Sequence, residues 1–226
     1  MIFSSIFTNI IETKDLIFSE TLITIQMVLL AGIISAVIGL AFAIALLLFR
    51  PKGLKPNASI YRILSVVINL LRSIPFVILT FALMPLTKIL VGTRIGFAGA
   101  IVPLVFSTFP FFARQFETAL LEVSDGVIEA ALSMGASDFE IVVHVYLSEA
   151  LPGLIRASTI TLVNLLGLTT MVGVIAGGGV GDLALIKGFR GGEYDIVLFI
   201  VVIILVLVYI IEFTGNLLIK ITNRGD

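Results

Sequence analysis

The sequence has 226 residues, of which 59% are hydrophobic and 13% charged. It contains no cysteine, and its formal net charge is -1. Soluble domains are about 45–50% apolar and about 25% charged, so this composition, with a mean hydropathy of +1.20, indicates an integral membrane protein. The missing cysteines exclude disulfides, thiol catalysis and thiolate metal sites. The balanced charge gives no support to nucleic-acid binding.

Five charge-poor stretches are long enough to cross a membrane. A spanning helix needs roughly 20 apolar residues, and a charge at mid-membrane costs about 2.5–3.5 kcal/mol, so charged residues mark the ends of each span. We predict spans at about 21–49, 60–84, 95–113, 155–177 and 195–219. The sequence therefore predicts an all-α integral membrane protein whose single transmembrane domain (20–220) follows an N-terminal interfacial segment (1–19) and precedes a short cytoplasmic tail (221–226).

Five spans place the two termini on opposite sides of the membrane. Lysine and arginine are enriched in cytoplasmic loops, so their distribution predicts the orientation. One side would carry eight basic residues, Arg50, Lys52, Lys55, Arg62, Arg114, Arg156, Lys220 and Arg224, and the other five, Lys14, Lys88, Arg94, Lys187 and Arg190. We therefore expect the N-terminus outside and the C-terminus inside.

The hydrophilic segment between the third and fourth spans, residues 114–154, predicts a short helix, a glycine turn and a second helix. Asp125 is the expected N-cap of the first helix, and Gly135 is its expected left-handed stop. Ser137 with Glu140 three residues later forms a capping-box pattern that begins the second helix. The spacing of apolar residues predicts one helical face composed of Val127, Ile128, Ala131 and Met134.

Small residues are concentrated on the expected surface of that short helix: Ala130, Ala131, Gly135 and Ala136, bracketed by Glu129 and Asp138. Small side chains allow another surface to approach the backbone closely. Two interpretations stay open from composition alone, a solvated connector and a helix that docks into a groove on a partner.

The run Glu129-Ala130-Ala131, followed after three residues by Gly135, resembles the EAA loop of bacterial ABC importer permeases. The family pattern continues as I-x-L-P, where this chain has Val145-Tyr146-Leu147-Ser148 and so departs at the isoleucine and the proline. The resemblance implies that this segment is the coupling helix that contacts an ATPase subunit. The residues implied in that contact are Glu129, Ala130, Ala131, Met134, Gly135 and Ala136.

Further motifs, from about residue 20 to about residue 220, are similar to the methionine-importer permeases. They are Leu71–Phe76 (LRSIPF), Ile101–Leu104 (IVPL), Pro110-Phe111 with Ala113-Arg114, Glu129–Ala136, and Glu149–Leu154 (EALPGL). The resemblance implies the type I ABC importer permease fold and transport of a small amino acid, methionine being the expected substrate. It also implies two ATP-binding cassette ATPase subunits, a second copy of this permease, an extracytoplasmic substrate-binding protein, and the bacterial cytoplasmic membrane.

The chain has no ATPase motif of its own. No G-x-x-x-x-G-K-[ST] occurs, and the glycine-rich run 177–181 lacks the following lysine, so we interpret it as a flexible loop or a helix terminus. We therefore expect a transport subunit rather than an enzyme, with no cofactor in this chain and with ATP and Mg²⁺ on the partner ATPase. No catalytic residue and no metal ligand is predicted, since His144 is the only histidine.

Four residues are candidates for the translocation pathway or its gate: Arg72, Pro75, Asn164 and Met171. Arg72 is the only basic residue well inside a predicted span, and intramembrane charges often mark a pathway, although it can also mark a bend, pair with an acid or snorkel. Polar and small residues near Asn164 are most often packing contacts. In the family, the stretch matching 167–173 lies along the central pathway, so Met171 resembles a gate residue.

Two other classes of protein compete with the importer interpretation. A secondary transporter or channel would carry ionisable residues at mid-span, where only Arg72 qualifies. An intramembrane hydrolase would need a nucleophile and a base at one depth, yet His144 lies in the hydrophilic segment and no G-x-S-x-G occurs.

Overall fold

The computed structural model of the chain describes the backbone of residues 2–222 and the side chains of residues 10–222. Every regular element in that range is helical, which confirms the predicted all-α fold. The helices are α1 (Ile2–Phe49), α2 (Ala58–Ser73), α3 (Phe76–Val91), α4 (Gly96–Leu121), α5 (Asp125–Ser133), α6 (Asp138–Glu140), α7 (Leu147–Glu149), α8 (Leu151–Met171), α9 (Val180–Leu183) and α10 (Tyr194–Thr222). A π-helical turn (Ile141–Tyr146) joins α6 to α7, a 3-10 turn (Val172–Ile175) follows α8, and a second π-helical turn (Ala184–Arg190) follows α9.

Four stretches of helix in the described part of the chain are long and apolar enough to cross a membrane. They are Ile10–Phe49, Gly96–Leu121, Leu151–Ile175 and Tyr194–Thr222. The consecutive helices α2 and α3 are joined at a sharp bend. They add a fifth candidate span only if the pair is counted as one broken span. By length and composition, the described part of the chain therefore has four candidate spans, or five with the broken one.

Pro75 explains why the second predicted span is broken. Proline has no N–H to donate to the preceding turn, and it disfavours helical geometry at the residue before it, here Ile74. Accordingly α2 ends at Ser73, and Pro75, with φ -57° and ψ 135°, is the N-cap from which α3 begins. The span predicted as one helix over 60–84 is two helices in the structure.

The first helix does not stop at the charges that were used to delimit the first span. Glu12, Lys14 and Asp15 are exposed on α1, which continues without a break to Phe49. At 1.5 Å per residue a helix of 48 residues is about 72 Å long, more than twice the thickness of a hydrocarbon core. Residues 2–19 are thus the first part of α1, while residue 1 and residues 223–226 of the predicted tail lie outside the described residues.

Two other helices also extend past the charges that delimit their predicted spans. Helix α4 continues eight residues beyond position 113, and Arg114 and Glu117 on this continuation form an ion pair with each other. Helix α8 begins at Leu151, and Pro152 lies in its first turn, where a missing N–H leaves no helical hydrogen bond unmade. The span bounds at 113 and 155 stay predictions, as does the single transmembrane domain over 20–220.

The contacts of the chain divide it into two compact units. The first unit contains residues up to 33, 74–107 and 162–211. Its core packs α1 against α9 and α10 through the buried side chains Ile17, Val180, Leu183, Ile196 and Ile200. Such packing stabilises helices through dispersion contacts, which matter most where lipid replaces water as the surrounding solvent.

The second unit contains residues 34–73, 108–161 and those from 212 onward. Its core joins α1, α2 and α4 through fully buried Leu46, Ile68 and Ala113. Phe42, Tyr61 and Leu64 cover that cluster from its sides. This unit contains the hydrophilic segment in which the sequence predicted a docking helix.

Candidate functional site

Helix α5 presents one buried and one exposed face. Ile128 and Ala131 are buried, 7% and 6% exposed, while Val127 is 42% exposed and Met134 82% exposed. The predicted apolar face of four residues is therefore wrong for Val127 and Met134. Ile128 and Ala131 lie one turn apart on the face of this nine-residue helix that meets the rest of the protein. Met134 is the C-cap, at the exposed end of the helix.

The predicted docking residues surround that exposed face, with one exception. Glu129, Ala130, Met134 and Gly135 are exposed and Ala136 is half-buried. Ala131 is buried beside Ile128, so the expectation that it lies on the surface is wrong. The small side chain of Ala131 serves packing of α5 onto the protein, and Ala130 is the alanine that faces outward.

The start of α5 differs from prediction by one residue. Ser124, with φ -62° and ψ 130°, is the N-cap, and its side chain makes no capping hydrogen bond. Asp125 lies in the first turn instead, where a negative charge is favourable close to the unpaired N–H groups of the helix.

Gly135 closes α5 as the sequence predicts. Its φ of +84° is left-handed, and its N–H donates to the carbonyl oxygen of Leu132 at 3.0 Å. The N–H of Ala136 donates to the carbonyl oxygen of Ala131 at 3.1 Å, which completes a Schellman motif. This turn exposes Met134 and reverses the chain toward α6.

A reciprocal cap begins α6 and confirms the predicted capping box. The Ser137 N–H donates to Glu140 Oε2 at 2.8 Å, and the Glu140 N–H donates to Ser137 Oγ at 3.3 Å. Hydrogen bonds from the backbone N–H and the hydroxyl of Ser137 lower the pKa of the Glu140 carboxyl. Local side-chain chemistry therefore fixes the turn on both sides of Gly135.

The loop between α1 and α2 contacts the same segment through two side chains. Lys55 Nζ lies 3.3 Å from Asp138 Oδ2, and an Arg50 guanidinium nitrogen donates to the Tyr146 hydroxyl at 3.4 Å. A cavity of about 530 Å³ separates the loop from α5, lined among others by Arg50, Lys52, Asp125, Glu129 and Leu132. The hydrophilic segment is thus tied to the first loop through Asp138 of α6 and Tyr146 of the π-helical turn.

The second group of candidates lies on α8. Asn164 and Met171 are seven residues apart, two helical turns, and share one face with Gly167. All three are exposed, Met171 by 48%. An amide and a bare glycine backbone on an apolar helix are unfavourable against lipid, so this stripe indicates a passage or a protein neighbour.

Met171 also contributes to a narrow apolar pocket. Phe76, Val77, Thr80 and Phe81 of α3 line it on one side, and Met171 to Ile175 on the other. The pocket has no room for a water-sized molecule, so the end of α8 is closed against α3.

Arg72 and Pro75 lie on either side of the break between α2 and α3, and both are exposed. The Arg72 guanidinium carbon lies 4.8 Å from the centre of the Phe111 ring, a cation–π contact. Among the described residues Arg72 belongs to neither ion pair, which are Lys55–Asp138 and Arg114–Glu117. Within the described residues, the Arg72 guanidinium therefore contacts an aromatic ring and forms no ion pair with an acidic side chain.

One polar cluster was missed by the sequence analysis. Glu117 is buried, and its carboxylate accepts from Arg114 at 2.7 Å and from the Tyr61 hydroxyl at 3.3 Å. Arg114 also donates to the carbonyl of Ser65 and to Asn69 Oδ1, both at 3.3 Å. These bonds tie α2 to α4. The spacing of Arg114 and Glu117 on one helix was a signal for the ion pair, but nothing local identifies Tyr61.

In the part of the chain that the structure describes, no group of three or more histidine or acidic side chains is arranged to hold a metal ion.

Comparison with known proteins gives a consistent result. The family model described as the binding-protein-dependent transport system inner membrane component matches residues 35–224. A probable D-methionine transport system permease protein MetI of Vibrio cholerae is 42% identical over 207 residues, which are 92% of each chain. The methionine import system permease protein MetP of Bacillus subtilis is 41% identical over 180 residues, 79% of this chain and 81% of that protein.

Solved structures agree with these relatives. A chain of the inward-facing MetNI methionine ABC transporter superposes with a TM-score of 0.91 at 39% identity, covering 93% of this chain and 98% of that one. A chain of an amino acid ABC transporter crystallised with histidines has a TM-score of 0.78 at 18% identity, over 95% and 97% of the two chains, and shows the shared fold. By its family match and these relatives, the chain belongs to the inner membrane components of binding-protein-dependent transport systems.

Proposed function

We propose that this chain is the membrane-spanning subunit of an ATP-driven ABC importer whose substrate is methionine. The observation that carries the proposal is the joint likeness, over nearly the whole chain, to permeases named for methionine transport and to the membrane subunit fold of the MetNI transporter. Since the sequence has no phosphate-binding loop, ATP and Mg²⁺ bind to a separate ATPase subunit.

The segment from Glu129 to Ala136 is the proposed contact with that ATPase. Apart from Glu129, its exposed members are small or apolar, among them Met134 with 82% of its surface exposed, and Phe139 follows the segment with 73% exposed. Ala131 contributes from the inner side of α5, by holding the helix against the protein together with Ile128. Small side chains on the outer face allow a partner to approach the backbone closely.

Movement of the ATPase subunits would reach the membrane helices through α5. The ATP sites of the two ATPase subunits and the central passage of the two permeases are separate sites. ATP binding at the first and opening of the second depend on each other, which is a coupling in the thermodynamic sense. Asn164 and Met171 on α8 are the proposed lining of the passage, with Met171 at its gate. Arg72 and Pro75, at the break of the second span, are the proposed residues of that passage on α2 and α3.

The proposed assembly contains two copies of this permease, two ATPase subunits and an extracytoplasmic binding protein that delivers the substrate. The N-terminus lies outside and the C-terminus inside a bacterial cytoplasmic membrane. Because the chain has no cysteine, single cysteines introduced at exposed Lys14 and Ser148 report the two sides directly. A membrane-impermeant maleimide applied to intact cells should label Lys14→Cys and leave Ser148→Cys unlabelled. The reverse pattern would overturn the orientation.

Uptake of radiolabelled L-methionine into proteoliposomes tests the function. The vesicles hold this chain with its ATPase, the binding protein is added outside, and ATP is enclosed or omitted. ATP-dependent accumulation supports the proposal. Stimulated ATP hydrolysis without methionine uptake would overturn the substrate, and uptake that follows an ion gradient instead of ATP would overturn the importer.

A further inference from the structure

The glycine-rich run after α8 is tightly built rather than loose. Gly178 and Gly179 have φ of +81° and +86°, a backbone conformation that other residues rarely adopt. A Cβ atom on Gly179 would lie 2.8 Å from Thr24 Oγ1, and one on Gly181 would lie 2.2 Å from the carbonyl oxygen of Thr170. Close contacts on two sides therefore favour glycine at these positions, and the run leads into the N-terminus of α9, one of the two interpretations of the sequence.

On one side the run is held by α1. The Glu20 carboxylate accepts a hydrogen bond from the Gly179 N–H, and Thr24 Oγ1 accepts one from the Val180 N–H at 2.9 Å. These two N–H groups belong to the N-terminus of α9, where a helix has no internal partners for its first donors. Side chains from a helix more than 150 residues away in sequence thus supply the cap that the glycines cannot.

Thr24 is specialised for this contact. It is only 1% exposed, and its hydroxyl donates to the carbonyl oxygen of Glu20 at 3.0 Å while accepting from Val180. Both hydrogen-bonding functions of the hydroxyl are used. Replacing it with an apolar group would leave a buried N–H without a partner, a costly change.

On its other side the run contacts the residues next to Met171. The backbone of Gly181 lies against Thr170, and a Cβ atom on Gly173 would lie 2.9 Å from the Cα atom of Asp182. Thr170 and Gly173 flank Met171 at the end of α8 and in the 3-10 turn. The held loop is thus packed directly on the segment that closes the apolar pocket against Phe76 and Phe81.

We infer that Glu20 and Thr24 are positioning residues for the gate. By fixing the N–H groups of Gly179 and Val180, they hold the loop against Thr170 and Gly173 and so keep Met171 against α3. The inference rests on the proposed role of Met171, but its central claim concerns the position of the end of α8 and is measurable without any transported substrate.

Amide hydrogen exchange measures the clamp itself. In the assembled complex, Thr24→Val should speed amide exchange at Val180, and Glu20→Met, which removes the acceptor oxygen, should speed exchange at Gly179, each by about five- to tenfold, the change expected for loss of one net hydrogen bond. Thr24→Ser keeps the hydroxyl and should restore protection. Glu12→Gln removes an exposed carboxylate from the same helix and should change nothing in this loop.

Labelling of Met171→Cys measures the gate. The otherwise cysteine-free chain permits a maleimide to report only this position. Adding Glu20→Met or Thr24→Val should raise its labelling rate several-fold, whereas adding Glu12→Gln or Thr24→Ser should not. Faster labelling together with faster exchange at the clamp supports the inference. An unchanged labelling rate in variants whose clamp exchanges faster would overturn it, whatever the uptake experiment shows about methionine.

Discussion

Arg114 and Glu117 form a 2.7 Å ion pair one turn apart on α4, and the carboxylate is almost wholly withdrawn from solvent. Removing one partner of such a pair is far more costly than removing an exposed pair, because the remaining charge stays buried. Through their bonds to Tyr61, Ser65 and Asn69, the two residues of this pair also join α4 to α2 in the second unit.

Glu117→Gln should therefore destabilise the folded complex by about 3 kcal/mol, the lower end for a broken buried pair, because Arg114 retains its bonds to Ser65 and Asn69. Thermal unfolding of the purified complex measures the effect. Tyr61→Phe is the matched control, since it deletes only the 3.3 Å hydroxyl contact and should cost about 1 kcal/mol. Equal melting of Glu117→Gln and the unaltered protein would show that the pair contributes nothing.

Gly135→Val should reduce uptake about tenfold while ATP hydrolysis continues. A β-branched residue at φ +84° is strained by about 1–2 kcal/mol, and no atom lies within 4 Å of the added Cβ, so the whole effect comes from the backbone turn that presents α5. Gly92 has a φ of +80° and equally open surroundings at the end of α3, which makes Gly92→Val a control for strain alone. Full uptake in Gly135→Val would count against a docking role for α5.

Met134→Asp should weaken association with the ATPase subunit by at least about tenfold, because a charge would replace an exposed apolar side chain at the proposed contact. Binding of the purified ATPase to the permease in detergent measures it. Ser148→Asp adds the same charge at an exposed position outside the proposed contact and should bind as the unaltered chain does. If both variants bind alike, Met134 does not touch the partner.

Asp182→Asn should make the loop before it more stable at neutral pH. Burial raises the pKa of the Asp182 carboxyl, and the opposing effects of the Gly178 N–H and Arg190 are smaller. A raised pKa means that the folded state favours the protonated acid, so the loop loses stability as pH rises through the unfolded and then the folded pKa. The rate of amide hydrogen exchange at residues 178–183, corrected for the intrinsic effect of pH, should vary with the ionisation of Asp182 in the unaltered chain. It should not vary in this way in Asp182→Asn. Asp15→Asn, exposed on α1, should keep the dependence.

Local signals predicted the turn around Gly135 well. A left-handed glycine and the pair Ser137–Glu140 depend on residues within a few positions of one another, so the sequence contains all the information. The break at Pro75 was predictable for the same reason. The burial of Ala131 was not, because it depends on which side of α5 meets the rest of the protein.

Contacts between distant residues explain the remaining differences. Charged residues were used as markers of span ends, and they do not show where a helix ends: Arg114 and Glu117 pair with each other inside the continuous helix α4. The glycine run after α8 reads as a loose loop until Glu20 and Thr24, far away in sequence, are placed beside it. In both cases the deciding partner could not be identified from spacing along the chain.

The cavity between α5 and the loop after α1 has a mechanical consequence. A protein interior packed at native density resists compression, so a push on a fully supported helix displaces everything behind it. Here about 530 Å³ beside α5 is unfilled, while α6 is fastened to Lys55 through Asp138. Helix α5 therefore has unfilled space on the side that faces the first loop, so a small shift of α5, with its buried Ile128, need not displace that loop.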